Sequence, residues 1–215
     1  MGQWVARRLC LAPEGIAFVA PLAGVTLLCA LGGWGLLGII GGLLTGGVGW
    51  FFRDPERVIP QDPRAVVAPA DGRVMEIVPM SEGVTRLSIF LSITDVHINR
   101  APYGGKVTDV VYTSGAFLAA YRPEASRSNE ANSITIEHLG RCFVVKQIAG
   151  VITRRIVCRV HPGDMLEKGQ RYGLIRFGSR TDLLLPAAAE IAVQVGDVVR
   201  GGETILAFLK EPPGA

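Results

Sequence analysis

Tyr172-Gly173-Leu174-Ile175-Arg176-Phe177-Gly178-Ser179-Arg180-Thr181-Asp182 reads as an apolar strand running into a Gly-Ser pair, and Asp182 to Leu185 leaves that pair as a second strand pattern. A Gly-Ser peptide bond is the least hindered place for a serine hydroxyl to attack the carbonyl before it. Gly178 has no Cβ to block the approach and tolerates strained backbone dihedrals. The alternative is a plain Gly-Ser turn between two strands, so the surrounding chain has to decide.

Outward from this stretch the pattern stays β. Leu87, Ile89, Leu91 and Ile93 alternate with Arg86, Ser88, Phe90 and Ser92, as in a half-buried strand. Short β-type runs follow near residues 106–112, 133–138, 142–148, 155–160, 172–177, 182–185 and 204–209. Residues 116–121 read as a helix that Pro123 would end. The expected fold class is mainly β (α+β). An internal repeat supports it: Gly163-Asp164-Met165-Leu166-Glu167-Lys168-Gly169-Gln170 recurs 33 residues later as Gly196-Asp197-Val198-Val199-Arg200-Gly201-Gly202-Glu203. Residues 69–74 and 102–107 form a second related pair. The Gly-Asp pattern resembles the hairpins of biotinyl and lipoyl-type β folds, although the Met-Lys-Met of a biotin carrier is absent.

Upstream the composition changes. From Gly15 to Phe52 there are 38 residues without a charge. A membrane span takes about 20 apolar residues and a signal-peptide core about 7 to 15. Glycines 32, 33 and 35 offer a turn in the middle, while Gly38, Gly41, Gly42, Gly46 and Gly49 would allow close helix packing. Arg7 and Arg8 precede the run, and Arg53 and Arg57 follow it. This flanking charge favours a transmembrane helical hairpin with both ends cytoplasmic. A single tilted helix or a buried core hairpin are the alternatives. Pro55, Pro60 and Pro63 make the following linker extended.

The composition limits the classes of function. Apolar residues make up 49% of the 215, and the formal net charge of +3 suits an anionic membrane surface but is too weak to indicate nucleic acid. Cys10, Cys29, Cys142 and Cys158 have neither metal-ligand nor disulfide-framework spacing, so no metal and a reducing compartment are expected.

Three residues carry chemistry when taken together. Asp71 lies in a Pro-Ala-Asp-Gly turn, and His97 lies just past a strand end in Phe90-Leu91-Ser92-Ile93-Thr94-Asp95-Val96-His97-Ile98-Asn99-Arg100-Ala101-Pro102. With Ser179 they supply an acid, a base and a nucleophile, the parts that activate a weak hydroxyl. Attack by Ser179 on Gly178 would turn the amide into an ester, and elimination with hydrolysis would leave a pyruvoyl group on residue 179. His138 shares a face with Ile134 and Ile136 and reads as half-buried and structural. His161 precedes a Pro-Gly-Asp turn and reads as exposed. Arg154 and Arg155 are candidates for a phosphate, since a planar guanidinium matches it; two solvated arginines opening a strand are the alternative.

In combination, the Ala70-Asp71-Gly72 turn, the His97 segment and Ile175-Arg176-Phe177-Gly178-Ser179-Arg180 resemble phosphatidylserine decarboxylase proenzymes of the short bacterial and archaeal form. The resemblance runs from about Trp50 to the C-terminus. It implies self-cleavage between Gly178 and Ser179, giving a β chain of residues 1–178 and an α chain of 179–215 with Ser179 as pyruvoyl. It implies a membrane-anchoring segment over residues 1–52 and a catalytic domain over 53–215, on the cytoplasmic side of the cell membrane. Asp71 and a histidine of the His97 segment would activate Ser179. The pyruvoyl ketone would form a Schiff base with the serine amine of phosphatidylserine, and His97 would protonate the carbon that loses carbon dioxide, with no external cofactor. Longer members carry a second histidine at the position of Arg100, so Arg100 joins Arg154 and Arg155 as a possible substrate contact. Family likeness also suggests a homodimer. Two rivals are a membrane-tethered lipoyl-like binding module without catalysis and a serine hydrolase; the latter lacks a Gly-x-Ser-x-Gly elbow.

Overall fold

The computed structural model describes residues 11–122, 124–151, 155–176, 178–187 and 189–210. The chain divides into two compact units, which meet in sequence between Glu56 and Arg57.

The first unit is a pair of helices, α1 (Pro13–Leu31) and α2 (Gly35–Phe51), joined through Gly32, Gly33 and Trp34. At 1.5 Å per residue they are about 28 and 26 Å long. α1 is long and apolar enough to cross a membrane; α2, at 17 residues, is shorter. Small residues let the helices close on each other. A Cβ on Gly38 would lie 3.3 Å from Ala30, and one on Gly41 would lie 2.5 Å from Thr26 Oγ1. Thr26 Oγ1 and Thr45 Oγ1 meet at 3.3 Å, while each hydroxyl also donates to a carbonyl of its own helix. Gly42, Gly46 and Gly49 have open space where a Cβ would stand, so the close approach uses only part of the glycine set. Leu28, Leu31, Leu36 and Leu43 are 71 to 77% exposed, an outward apolar surface with no protein cover.

The second unit is mainly β. In chain order its strands are β1 (Ala65–Val67), β2 (Gly72–Pro79), β3 (Thr85–Leu91), β4 (Ile98–Arg100), β5 (Gly105–Thr113), β6 (Ala131–His138), β7 (Arg141–Ile148), β8 (Ile156–Cys158), β9 (Met165–Leu166), β10 (Arg171–Ile175), β11 (Ser179–Leu185), β12 (Ala189–Ile191), β13 (Val198–Val199) and β14 (Ile205–Leu209). They form one eight-stranded sheet, β13-β2-β3-β11-β7-β6-β5-β9, and two three-stranded ones, β4-β10-β8 and β1-β14-β12. Leu87, Ile89, Leu91, Ile134, Ile136, Phe143, Val145, Leu183 and Leu185 point from one face of the large sheet into a common core. Their alternation in sequence is the period-2 signal of a sheet covered on one face.

The internal repeat is built as a pair. The two Gly-Asp hairpins supply β9 and β13, the two edges of the large sheet. Gly163 N donates to Val107 O and Gly196 N to Val74 O, at 2.7 and 2.8 Å. Val107 and Val74 in turn donate to Asp164 O and Asp197 O, at 2.8 and 2.9 Å. Gly163 and Gly196 have φ of 102 and 101°, and Gly169 and Gly202 have 75 and 81°. Each hairpin therefore docks on its own member of the 69–74 and 102–107 pair.

One expected element is absent. Residues 116–121 are irregular, and the short helix α3 (Ala125–Ser128) comes after Pro123 instead. Competing partners claim the backbone that a helix would use. Asn129 bonds Leu118 N and Leu118 O at 2.9 and 2.7 Å, and Ala116 bridges to Ser128 and Glu130. His138 is half-buried against the Tyr103 ring, and His161 is exposed.

Tyr172 in β10 is fully buried, and its Oη has no hydrogen-bond partner among the described residues. Burial holds its phenol well above the ordinary value of 10. Unfolded chain ionises near pH 10, so Tyr172 contributes stability below that pH which is lost as pH rises further, by at most about 1.4 kcal/mol per pH unit. Tyr172→Phe should match or exceed the wild type at pH 8 and lose less stability between pH 9.5 and 11. Denaturant midpoints at the two pH values measure this; parallel slopes would refute it.

Candidate active site

Ser179 is the first residue of β11, a central strand held by β3 on one side and β7 on the other. It pairs with Leu91, the last residue of β3, and it is fully buried. Its Oγ has no hydrogen-bond partner among the described residues. Gly178 just before it has φ of 63°, a left-handed conformation that glycine adopts without a Cβ penalty, and open space lies where a Cβ would stand. An unclaimed hydroxyl therefore sits next to an uncrowded carbonyl.

His97 immediately precedes β4, a strand of another sheet than β11. The turn before it is tied by Asp95, whose Oδ2 accepts from Ser92 N and Ser92 Oγ, both at 2.8 Å. β4 begins at Ile98 and pairs antiparallel with β10, so His97 lies beside Ile175, whose N–H donates to His97 O at 3.2 Å. Three residues separate Ile175 from Ser179 in sequence. Buried side chains tie β4 to β11 and to β7: Asn99 Nδ2 donates to Thr181 Oγ1 at 3.2 Å, and Gln147 Nε2 donates to Asn99 Oδ1 at 2.9 Å. Asn132 Nδ2 completes the chain to Gln147 Oε1 at 3.1 Å. Asn99 and Thr181 are each two residues beyond His97 and Ser179. The Asn99–Thr181 bond therefore joins the two segments that carry His97 and Ser179.

The histidine ring is also oriented. His97 is 2% exposed, and its Nδ1 lies 2.9 Å from Asp95 O. A carbonyl can only accept, so Nδ1 carries the proton and Nε2 is the basic nitrogen of the neutral ring.

Asp71 stands at the same end of the large sheet, next to Gly72 at the start of β2, with β3 between it and Ser179. Its carboxylate is engaged: Arg57 Nη2 donates to both oxygens at 3.0 and 2.7 Å, and Gly201 N donates to Oδ1 at 2.8 Å. Burial raises the Asp71 carboxyl above its ordinary value, and the neighbouring Asp95 adds to this, while Arg57 and the Gly201 N–H pull the other way. Glu203 accepts from Arg57 Nη1 at 3.2 Å and from Val58 N at 3.1 Å. Sequence reading did not find the Arg57 clamp, because 14 residues separate Arg57 from Asp71 and no spacing signal marks the pair. The same holds for Asn99, Gln147 and Thr181, although Asn99 and Thr181 lie inside the two diagnostic segments.

The basic candidates separate. Arg100 is buried and its Nη1 donates to Gly169 O at 3.1 Å, within the first Gly-Asp copy. Arg155 is exposed at the start of the β8 edge. Arg154 lies outside the described residues.

A family model described as phosphatidylserine decarboxylase matches residues 44–207. The phosphatidylserine decarboxylase proenzyme of Syntrophotalea carbinolica is 45% identical over 204 residues, covering 92% of this chain and 95% of that protein. The proenzyme of the same name from Cereibacter sphaeroides is 48% identical over 206 residues, with 91% and 88% covered. That of Saccharopolyspora erythraea is 45% identical over 207 residues, with 92% and 87% covered. By the extent of these matches, the chain belongs to the phosphatidylserine decarboxylase family of enzymes.

Proposed function

We propose that this enzyme converts phosphatidylserine to phosphatidylethanolamine and carbon dioxide with a carbonyl group made from its own Ser179. The observation that carries the reading is the fully buried Ser179 hydroxyl, without a partner among the described residues, directly after the left-handed Gly178. Ser179 Oγ attacks the Gly178 carbonyl and gives its proton to His97 Nε2; the Gly178–Ser179 C–N bond then breaks, His97 returns the proton to the Ser179 nitrogen, and the amide has become an ester. Loss of the Gly178 carboxylate by elimination, then hydrolysis with release of ammonia, leaves pyruvoyl on residue 179 and chains of residues 1–178 and 179–215. The group supplies a ketone that takes up the substrate amine and draws electrons from the bond to the carboxylate.

The chain's own residues do the rest. His97 is the base of the cleavage and the acid that protonates the carbon from which carbon dioxide leaves. Arg100 replaces the family's second histidine, and its guanidinium is engaged at Gly169 O, so both proton steps fall to His97 in this reading. Asp71 acts at the same end of the sheet as the acidic member, kept in register by Arg57 and Gly201. Asn99 and Thr181 are positioning residues that hold His97 on Ser179. The exposed Arg155 is assigned to the lipid phosphate. The likeness of the paired Gly-Asp hairpins to lipoyl-type units belongs to the same reading, as a scaffold without a carrier lysine.

The helical unit is assigned to the membrane, with the catalytic unit on the cytoplasmic side. The outward leucines of α1 and α2 and the cationic flanks Arg7, Arg8, Arg53 and Arg57 support it. A diacyl substrate does not leave a bilayer readily, since each methylene is worth about 0.8 kcal/mol there.

Intact mass under denaturing conditions tests the cleavage: two chains that part after Gly178, the smaller with no free amine at its end, are expected. Ser179→Ala should yield one uncleaved chain without decarboxylase activity, and normal turnover in that variant would remove the pyruvoyl reading. His97→Ala should lower decarboxylation by about 10²- to 10⁴-fold; full activity would assign the proton steps elsewhere. Thr181→Val deprives Asn99 Nδ2 of its acceptor and should slow cleavage by up to about 10²-fold, with Thr181→Ser restoring it. Equal cleavage rates in Thr181→Val and wild type would remove Asn99 and Thr181 from the positioning role.

A further inference from the structure

Cleavage between Gly178 and Ser179 turns the first residue of a central strand into a chain end. Chain ends fray because few contacts hold them. The ladder is thin at this point. Ser179 pairs with Leu91 of β3, but the pairing with β7 begins only at Arg180, opposite Ile148. Something other than the ladder has to keep residue 179 in place once the bond before it is gone.

Arg180 faces the opposite side of the sheet from Ser179 and is fully buried. Its Nε donates to Asp182 Oδ1 at 2.6 Å, and its Nη2 donates to Ser88 Oγ at 2.8 Å and to Glu76 Oε2 at 3.1 Å. Arg86 Nη2 shares Glu76 Oε2 at 2.9 Å, and Ser126 Oγ donates to Asp182 Oδ2 at 2.6 Å. Glu76, Arg86, Ser88 and Ser126 all precede the cut, whereas Arg180 and Asp182 follow it. A guanidinium fork has rigid donors, so two or three bonds fix its orientation as well as its position.

We propose that this buried cluster is a cross-chain latch: Arg180 is the positioning residue that holds the new α-chain end against β2 and β3 after self-cleavage, so that the carbonyl group on residue 179 stays aligned. The proposal rests on the cleavage reading above and adds a division of labour. Before the cut, the Gly178 peptide bond holds residue 179 and the latch is redundant. After the cut, the latch has to supply the restraint that the peptide bond gave, beside the pairing with Leu91 and the Asn99–Thr181 bond. Loosening it should therefore spare the first reaction and impair the second.

The test uses the full chain with Glu76→Gln and Ser88→Ala together. These changes weaken both cross-chain contacts of Nη2 and leave Asp182 to neutralise the arginine. Expected are an unchanged extent and rate of cleavage by intact mass, and a kcat on phosphatidylserine vesicles lower by about tenfold or more with KM unchanged. Hydrogen exchange at residues 180–182 should be faster than in processed wild type. In an uncleaved Ser179→Ala background, the same two substitutions should leave exchange at these amides unchanged. Should the double variant fail to accumulate, Glu76→Gln alone carries the same test. A kcat equal to wild type, or cleavage and turnover falling together, would overturn the latch while leaving the cleavage reading intact. A wild-type protein that remains a single chain would overturn both.

Discussion

The buried chain from Asn132 through Gln147 and Asn99 to Thr181 joins two sheets with directional polar contacts. Apolar packing is non-directional and tolerates sliding. A buried amide does not, because a shifted strand would leave donors and acceptors unpaired at about 1 to 3 kcal/mol each. The position of the β4 strand on the β11 strand is set in this way. Gln147 belongs to β7, the neighbour of β11, so the same amide also ties β4 to the large sheet.

The paired repeats differ where Asp71 stands. Asp71 and Gly104 occupy equivalent places, 33 residues apart, and each lies against the Gly-Asp hairpin of its own half. In one half the Gly201 N–H is occupied by the Asp71 carboxylate. In the other, Gly104 brings no side chain to the equivalent Lys168 N–H, which lies 3.4 Å from where its Cβ would stand. A near-symmetric frame thus carries different side chains at these two places. β11, which Ser179 begins, lies between β3, the strand next to β2, and β7.

The two helices pack by a different rule from the sheets. Their lengths, about 28 and 26 Å, approach the roughly 30 Å of a bilayer's hydrocarbon core. Their mutual contact is made by Ala30, Gly38, Gly41 and two threonines, while the leucines turn outward. That is the reverse of a water-soluble helical pair, in which the large apolar side chains would meet between the helices.

Much of this was legible in the sequence. Period-2 alternation gave the strands of the core, because a sheet covered on one face must alternate. The 38 uncharged residues marked the helical unit, and the Gly-Asp repeats marked two equivalent hairpins. Ser179, His97 and Asp71 stand out in short segments whose residue types suit the proposed chemistry, and the fold buries Ser179 and His97. The helix expected over residues 116–121 failed because propensity is local, whereas Asn129 takes that backbone from outside it. Tertiary structure alone decided the partners: Arg57 on Asp71 across 14 residues, Asn99 on Thr181 across 82 and Arg180 on Glu76 across 104. Strand order and sheet-to-sheet contact make such pairs, and no periodicity in the chain encodes them. The sequence by itself determined which groups the enzyme has to work with, and the fold decided which of them meet.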